Sequence, residues 1–277
     1  MTNEARGVQS IEIGARLLQA LAEQGEPMML KELSQQAGIA PAQAHAYLVS
    51  FRKLGLVEQE EQAGRYRFGP FALDLGITRM RSFDPFRMAN EAVIALSIKA
   101  RLTAALVVWG AYGPTVVQIQ EGGDQVYMTT RVGTIYSLTG TASGRAFAAF
   151  MPSRLVRELM SIEKREKTLS RRIGRMMPLG TDDIERIRQA GYATIEPPPV
   201  PGINAVSAPV FDHVGQMQFA FTLVGPASVL KVAPDSEAVA MLLASTRALS
   251  AQLGYKPAAS VPLKAGVVRR DSQDSPR

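Results

Sequence analysis

Apolar residues recur at helical spacing from the start of the chain. Ile11, Leu17, Leu18 and Leu21 fall on one side of a helix predicted over 10–24, with Ser10 placed to cap it and Gly25-Glu26-Pro27 to stop it. A short apolar run, Met28-Met29-Leu30, leads into a second helix over 31–37, ended by Gly38, which takes left-handed dihedrals at little cost. Pro41 suits the first position of a third helix, in which Ala44, Tyr47, Leu48, Phe51 and Leu54 form one buried stripe closed by Gly55. The period then changes to two: Leu56-Val57-Glu58-Gln59 and Arg65-Tyr66-Arg67-Phe68 alternate around a loop at 60–64, the pattern of a hairpin. Two helices about a tight glycine-containing turn, followed by a hairpin, make a winged helix-turn-helix over 1–70.

The major groove of B-DNA admits one helix, and the third helix is the one whose outward side suits it. With its stripe facing inward, Ala42, Gln43, His45, Ala46, Val49, Ser50 and Lys53 face outward. Gln43 matches the donor and acceptor pair of adenine, Ala42 or Ala46 the thymine methyl, and Arg65 and Arg67 on the wing a phosphate or the minor groove. His45 is either a base reader or a packing or capping residue. The same helices and hairpin also serve as a protein-binding module, so double-stranded DNA is the expected partner and a protein contact the alternative.

Farther along, 70–81 predicts a linker helix with Phe71, Leu75 and Met80 on one side, ending before Asp84-Pro85, so that 71–84 joins two domains. Helices are predicted over 86–101, 141–150, 182–190 and 235–253. Strands are predicted over 104–109, 115–119, 126–130, 206–210 and 218–224, the last two a hairpin turning at Asp212-His213-Val214-Gly215. An antiparallel sheet flanked by helices makes 85–256 an α+β domain. The stretch 257–277, with Pro257, Pro262, Gly266 and a closing polar run, reads as a disordered tail.

Composition narrows the function. A chain of 277 residues, 46% hydrophobic and 20% charged, suits two soluble domains, and no run approaches the roughly 18 apolar residues of a membrane span, so a cytoplasmic protein without membrane partners is expected. The absence of cysteine excludes disulfides, thiolate metal sites and Cys nucleophiles. Two histidines, His213 of them in a turn, supply no parts for a triad or a metal centre, so neither catalysis nor a cofactor is expected. Gly140-Thr141-Ala142-Ser143-Gly144-Arg145 lacks the Walker spacing and reads as the small-residue start of a helix. The net charge of +6 is compatible with a polyanionic partner, but much of the excess lies in Lys164, Arg165, Lys167, Arg171, Arg172 and Arg175. Mixed with Glu163 and Glu166, that run reads as a solvated helical face.

Several segments together resemble the IclR family of bacterial transcriptional regulators. They are Val8-Gln9-Ser10-Ile11-Glu12, 30–38, Gly55-Leu56-Val57-Glu58, 64–70, Arg131-Val132-Gly133, 141–146, Gly191-Tyr192-Ala193, 208–212 and Gly225-Pro226. The resemblance implies a GAF-like effector domain whose pocket takes in the hairpin strands, here Asn204, Ala205, Ser207 and Thr222. Ala42-Gln43 and His45-Ala46 stand where the family commonly has Ser-Thr and His-Arg, and Ile13 where it has Arg, so the DNA sequence read is this chain's own. Ala205 stands where a cysteine is frequent, and 196–202 replaces an acidic loop. The helix start at Gly140, Thr141 and Ala142 offers unpaired amides that favour a carboxylate, which points to a small organic-acid effector. Ser207 and Thr222 either line that pocket or pack between strands, and Trp109, Tyr112, Tyr127 and Tyr136 are either its walls or core. A homodimer, or a tetramer built as a dimer of dimers, is expected on paired half-sites, as repressor or activator. A sensor with no DNA role and an enzyme on the second domain are the rival readings.

Overall fold

The computed structural model describes residues 7–81, 83–122, 130–165 and 172–257. The chain divides into two compact units, 1–84 and 85–277. In the first, α1 (Gln9–Gln24), α2 (Leu30–Ala37) and α3 (Pro41–Lys53) are followed by β1 (Val57–Gln59), β2 (Tyr66–Phe68) and α4 (Pro70–Arg81). Leu17 and Leu21 from α1, Leu33 from α2, Ala44 and Leu48 from α3, and Val57 and Tyr66 from the hairpin form one buried cluster. Gly38 holds the turn between α2 and α3 at φ 63°, its N–H bonded to the carbonyls of Ser34 and Gln35. The hairpin pairs Val57 with Phe68 and Gln59 with Tyr66, and Tyr66 also exchanges both backbone hydrogen bonds with Met28.

The second unit runs α5 (Pro85–Ala100), β3 (Thr103–Gly110), β4 (Gly113–Gln120), β5 (Ile135–Tyr136), α6 (Ala142–Phe150), α7 (Ser153–Arg165), β6 (Arg172–Ile173), α8 (Thr181–Ala190), β7 (Ala193–Thr194), β8 (Ile203–Phe211), β9 (Met217–Pro226) and α9 (Glu237–Gln252). Among the described residues the strands form one seven-stranded sheet in the order β6-β5-β4-β3-β9-β8-β7. Strand alternation sorts its side chains: Ala105, Val107 and Ala220 pack with Phe147, Leu159 and Ile187 of the α6–α8 layer. The alternate positions Ala104, Leu106, Phe221 and Leu223 are equally buried, on the face that α5 and α9 cover.

Several expectations are corrected. Ser10 does not cap α1, which starts one residue earlier behind Val8 with no side-chain cap. Ile11 is 70% exposed and Leu54 61%, because each sits in a terminal turn beyond the reach of the cluster. α4 is not amphipathic: Phe71, Leu73, Leu75 and Ile77 are all exposed, while the Met80 side chain lies outside the described residues. The sheet is mixed rather than antiparallel, since β5 and β6 run parallel. The basic run is not one solvated helical face: among its described residues Lys164 and Arg165 lie in α7 and Arg172 in a strand, and the neighbouring Glu163 is buried. The expected strand at 126–130 falls outside the described residues except for Thr130, as does the tail from 258 onward.

Candidate functional site

Two surfaces carry the candidate residues, one in each unit. On α3, burial of Ala44 and Leu48 and partial burial of Tyr47, Val49 and Phe51 leave Ala42, Gln43, His45, Ala46, Ser50 and Lys53 exposed. The Ser50 hydroxyl donates back to the Ala46 carbonyl at 3.2 Å, so its proton is spent within the helix. Arg52 donates to Gln59 Oε1 at 3.1 Å, and Gln59 Nε2 donates to the Gly64 carbonyl at 2.9 Å. The wing turn is thereby tied to the end of α3. Arg65 is exposed. Arg67, also exposed, is held by Glu58 at 2.6 Å and lies 3.9 Å from Glu60. Half of the expected wing charge is therefore already neutralised.

In the second unit a cavity of about 230 Å³ opens between the start of α6 and one face of β8 and β9. Ile203 and Ala205 on β8 and Thr222 and Val224 on β9 form its floor, two residues apart on each strand and therefore on one face. Thr141, Ala142 and Ser143 supply the helix end, and Thr130, Tyr136, Ile173, Ile195, Pro199 and Val200 close the sides. Burial raises the Tyr136 phenol above its ordinary range and outweighs the effect of its hydrogen bond to Thr130, so the ring presents a neutral hydroxyl, which donates to the Thr130 hydroxyl at 3.5 Å.

Backbone contacts too tight for a side chain hold the α6 start in place. A Cβ on Gly140 would lie 1.9 Å from the Arg175 carbonyl oxygen, and one on Gly144 2.1 Å from that of Ser137. Glu163, buried on α7, accepts from the Leu138 amide at 3.0 Å and lies 3.5 Å from Arg172, while the Ser137 amide donates to the Ile173 carbonyl at 2.8 Å. The Thr141 hydroxyl accepts from the Gly144 amide at 3.0 Å and donates to the Ser137 carbonyl at 2.9 Å, which spends it as a helix cap. Among the described residues the amides of Ala142 and Ser143 have no acceptor, and they are the donors α6 offers. Ser143, Thr222 and Ser207 form a buried chain of hydroxyls, 2.8 and 2.9 Å apart, ending on the Phe221 carbonyl at 3.2 Å.

Of the residues expected at the effector site, Thr141, Ala142, Ala205 and Thr222 line the cavity. Gly140 does not, and its amide is taken by the Ser137 hydroxyl. Asn204 points from the other face of β8 and donates to the Leu230 carbonyl at 3.0 Å. Ser207 shares the cavity face but is sealed beneath Thr222. Tyr136 is a wall, Trp109 packs in the core against Phe147, Tyr112 is exposed, and Tyr127 lies outside the described residues. A wider groove of about 760 Å³ runs along Phe150, Phe211 and Tyr255 between α8 and α9, and none of the expected residues borders it.

Comparison with known proteins bears on both surfaces. The IclR helix-turn-helix domain matches residues 10–61, and the bacterial transcriptional regulator IclR C-terminal domain matches residues 79–251. The chain belongs to the IclR family. Its relatives include the HTH-type transcriptional regulator KdgR of Dickeya chrysanthemi, 28% identical over 242 residues, or 86% of this chain and 78% of that one. The glycerol operon regulatory protein of Streptomyces griseus is 28% identical over 257 residues, 90% and 98% of the two chains. The crystal structure of Pseudomonas aeruginosa HmgR superposes with a TM-score of 0.74 at 33% identity, over 91% of this chain and 100% of that one. In this IclR-family chain the first match takes in the exposed face of α3, and the second spans the cavity. Ser143, Ile203 and Val224 escaped the sequence reading. The period of two from Ala205 and Thr222, and the first turn after Thr141, were the signals that point to them. Among the described residues no helix is long and apolar enough to cross a membrane, and no cluster of three or more His, Cys, Asp or Glu is placed to hold a metal ion.

Proposed function

We propose that this IclR-family protein is a sequence-specific DNA-binding regulator of a catabolic or metabolic operon, controlled by a small organic acid bound in the second unit. The reading rests on one observation above the others: α3 buries one stripe and leaves Ala42, Gln43, His45, Ala46, Ser50 and Lys53 exposed within its unit, as a helix lying in a major groove requires. Gln43 is the candidate base reader, Ala42 and Ala46 the methyl contacts, and Lys53 and Arg65 the phosphate contacts, with Arg67 held back by Glu58. The relatives' roles, among them regulation of a glycerol operon, support an operon of catabolism. The division of labour runs as DNA binding in 1–70, linkage in 71–84 and effector binding in 85–256, in a cytoplasmic homodimer or tetramer that sets two copies of α3 on paired half-sites.

The Ala142 and Ser143 amides, which line the cavity's helix end, support a site for the effector's acid group there, since an anion gains from the helix dipole. It controls DNA binding only if it binds the DNA-competent and incompetent arrangements with different affinity. Gel shifts with duplexes from around the protein's own gene test the reading. A specific complex is expected, weakened by Gln43→Ala and by Arg65→Ala. A complex indifferent to both substitutions, or none at all, assigns the helix-turn-helix to protein contacts instead.

A further inference from the structure

The cavity walls say what kind of acid they accept, and this inference rests on reading the cavity as the effector site. The described lining contains no Lys, Arg, His, Asp or Glu. Against these described walls a second carboxylate on the ligand would lose its water without meeting a cation, and an unpaired charge in such surroundings is strongly disfavoured. Ile173, Ile195, Val200, Ile203 and Val224 supply aliphatic surface in its place. A polyhydroxylated acid would desolvate hydroxyl after hydroxyl against them with few partners. The volume of about 230 Å³ lies below the roughly 300 Å³ lower end of pockets for drug-sized ligands. At about 30 Å³ of liquid volume per water it matches a molecule of about eight non-hydrogen atoms.

The hydroxyl chain adds a direction. Ser207 spends its proton on the Phe221 carbonyl and Thr222 spends its own on Ser207, so Ser143 must be the donor to Thr222. Ser143 is then left with acceptor lone pairs and no proton, beside the amide donors of Ala142 and its own backbone. Thr141 has likewise spent its proton, on the Ser137 carbonyl, and gives one lone pair to the Gly144 amide. The helix end thus offers donors for a carboxylate and, next to them, an acceptor for a hydroxyl.

We infer that the effector is a monocarboxylate of about eight non-hydrogen atoms with an apolar branched or aromatic body and a hydroxyl near the acid group. Titration calorimetry of the full-length protein tests this with four probes, 2-hydroxy-2-phenylacetate and 2-hydroxy-4-methylpentanoate and their deoxy partners phenylacetate and 4-methylpentanoate, set against malate and gluconate. At least one hydroxy acid is expected to bind about fivefold more tightly than its deoxy partner, the factor one net hydrogen bond supplies. Ser143→Ala should close that gap, and malate and gluconate should bind at least tenfold more weakly. Val200, 45% exposed at the rim, can be changed without disturbing the core. Val200→Arg adds a cation to the described walls and should raise malate affinity at least tenfold. Tighter binding of malate or gluconate, binding of none of the monocarboxylates, or a Val200→Arg variant blind to malate overturns the ligand class. Monocarboxylate binding that survives the cavity-filling Ala205→Phe overturns the cavity reading itself, which distinguishes the two failures.

Discussion

Replacing Thr222 by valine keeps its shape but removes the middle hydroxyl of a buried chain of three. Thr222 is 2% exposed and Ser143 and Ser207 less, with the links at 2.8 and 2.9 Å. Two hydrogen bonds of about 1 kcal/mol net each are lost, and the Ser143 hydroxyl is left without its acceptor. Water reaching the cavity side of Ser143 returns part of this, so the net loss is about 1–2 kcal/mol. Trp109 is the only tryptophan in the chain and packs 5.8 Å from Phe147 on α6, so urea unfolding followed by its fluorescence reports this unit alone. With m of about 3 kcal/mol per molar urea, the midpoint should fall by about 0.5 M. The triple variant Ser143→Ala, Thr222→Val, Ser207→Ala leaves no orphaned hydroxyl and should lie closer to the wild type than the single variant does. A single variant with an unchanged midpoint, or a triple variant less stable than the single, refutes the hydroxyl chain as drawn.

Three further outcomes are expected. Gly144→Ala forces a Cβ against two backbone carbonyls, at 2.1 and 2.5 Å, and should destabilise the second unit by about 3 kcal/mol or more in the same assay, whereas Gly76→Ala, with open space around it in α4, should stabilise its helix by about 0.5–1 kcal/mol in thermal melts. The Gly180 amide first, and Arg186 after it, hold the exposed Asp183 carboxylate below its usual range. Its stabilisation of α8 is present above the ordinary carboxylate pKa and lost as pH falls through the depressed one, so Asp183→Asn should flatten the loss of helical circular dichroism below about pH 4. Glu58→Gln releases Arg67 from its 2.6 Å partner and should steepen the salt dependence of DNA binding by about one unit of slope, which titrations across salt concentrations would show.

The first unit was legible because its signals are local. Gly38, Pro41 and the change of period at Leu56 each act within a few residues, and burial of Leu17, Leu33 and Leu48 follows from them. The misreadings lie at helix ends, where Ile11 and Leu54 keep the apolar period but run past the cluster. In the second unit the long strands β3, β4, β8 and β9 were visible, while β5, β6 and β7, two residues each, are too short to show alternation. α7 was hidden because one of its buried positions is Glu163, whose place inside depends on Leu138 and Arg172, and the latter reaches it from another strand. Ser143 meets Thr222 across 79 residues, a pairing that only the folded sheet creates.

Selection of bound duplexes from a randomised pool, run on the wild type and on Gln43→Ala, addresses the outward face of α3 most directly. The account predicts a two-fold-symmetric preference in the wild type, relaxed at one position per half-site in the variant and retained elsewhere, with about 1–3 kcal/mol of discrimination lost there. Identical preferences in the two proteins, or no preference in either, would contradict it.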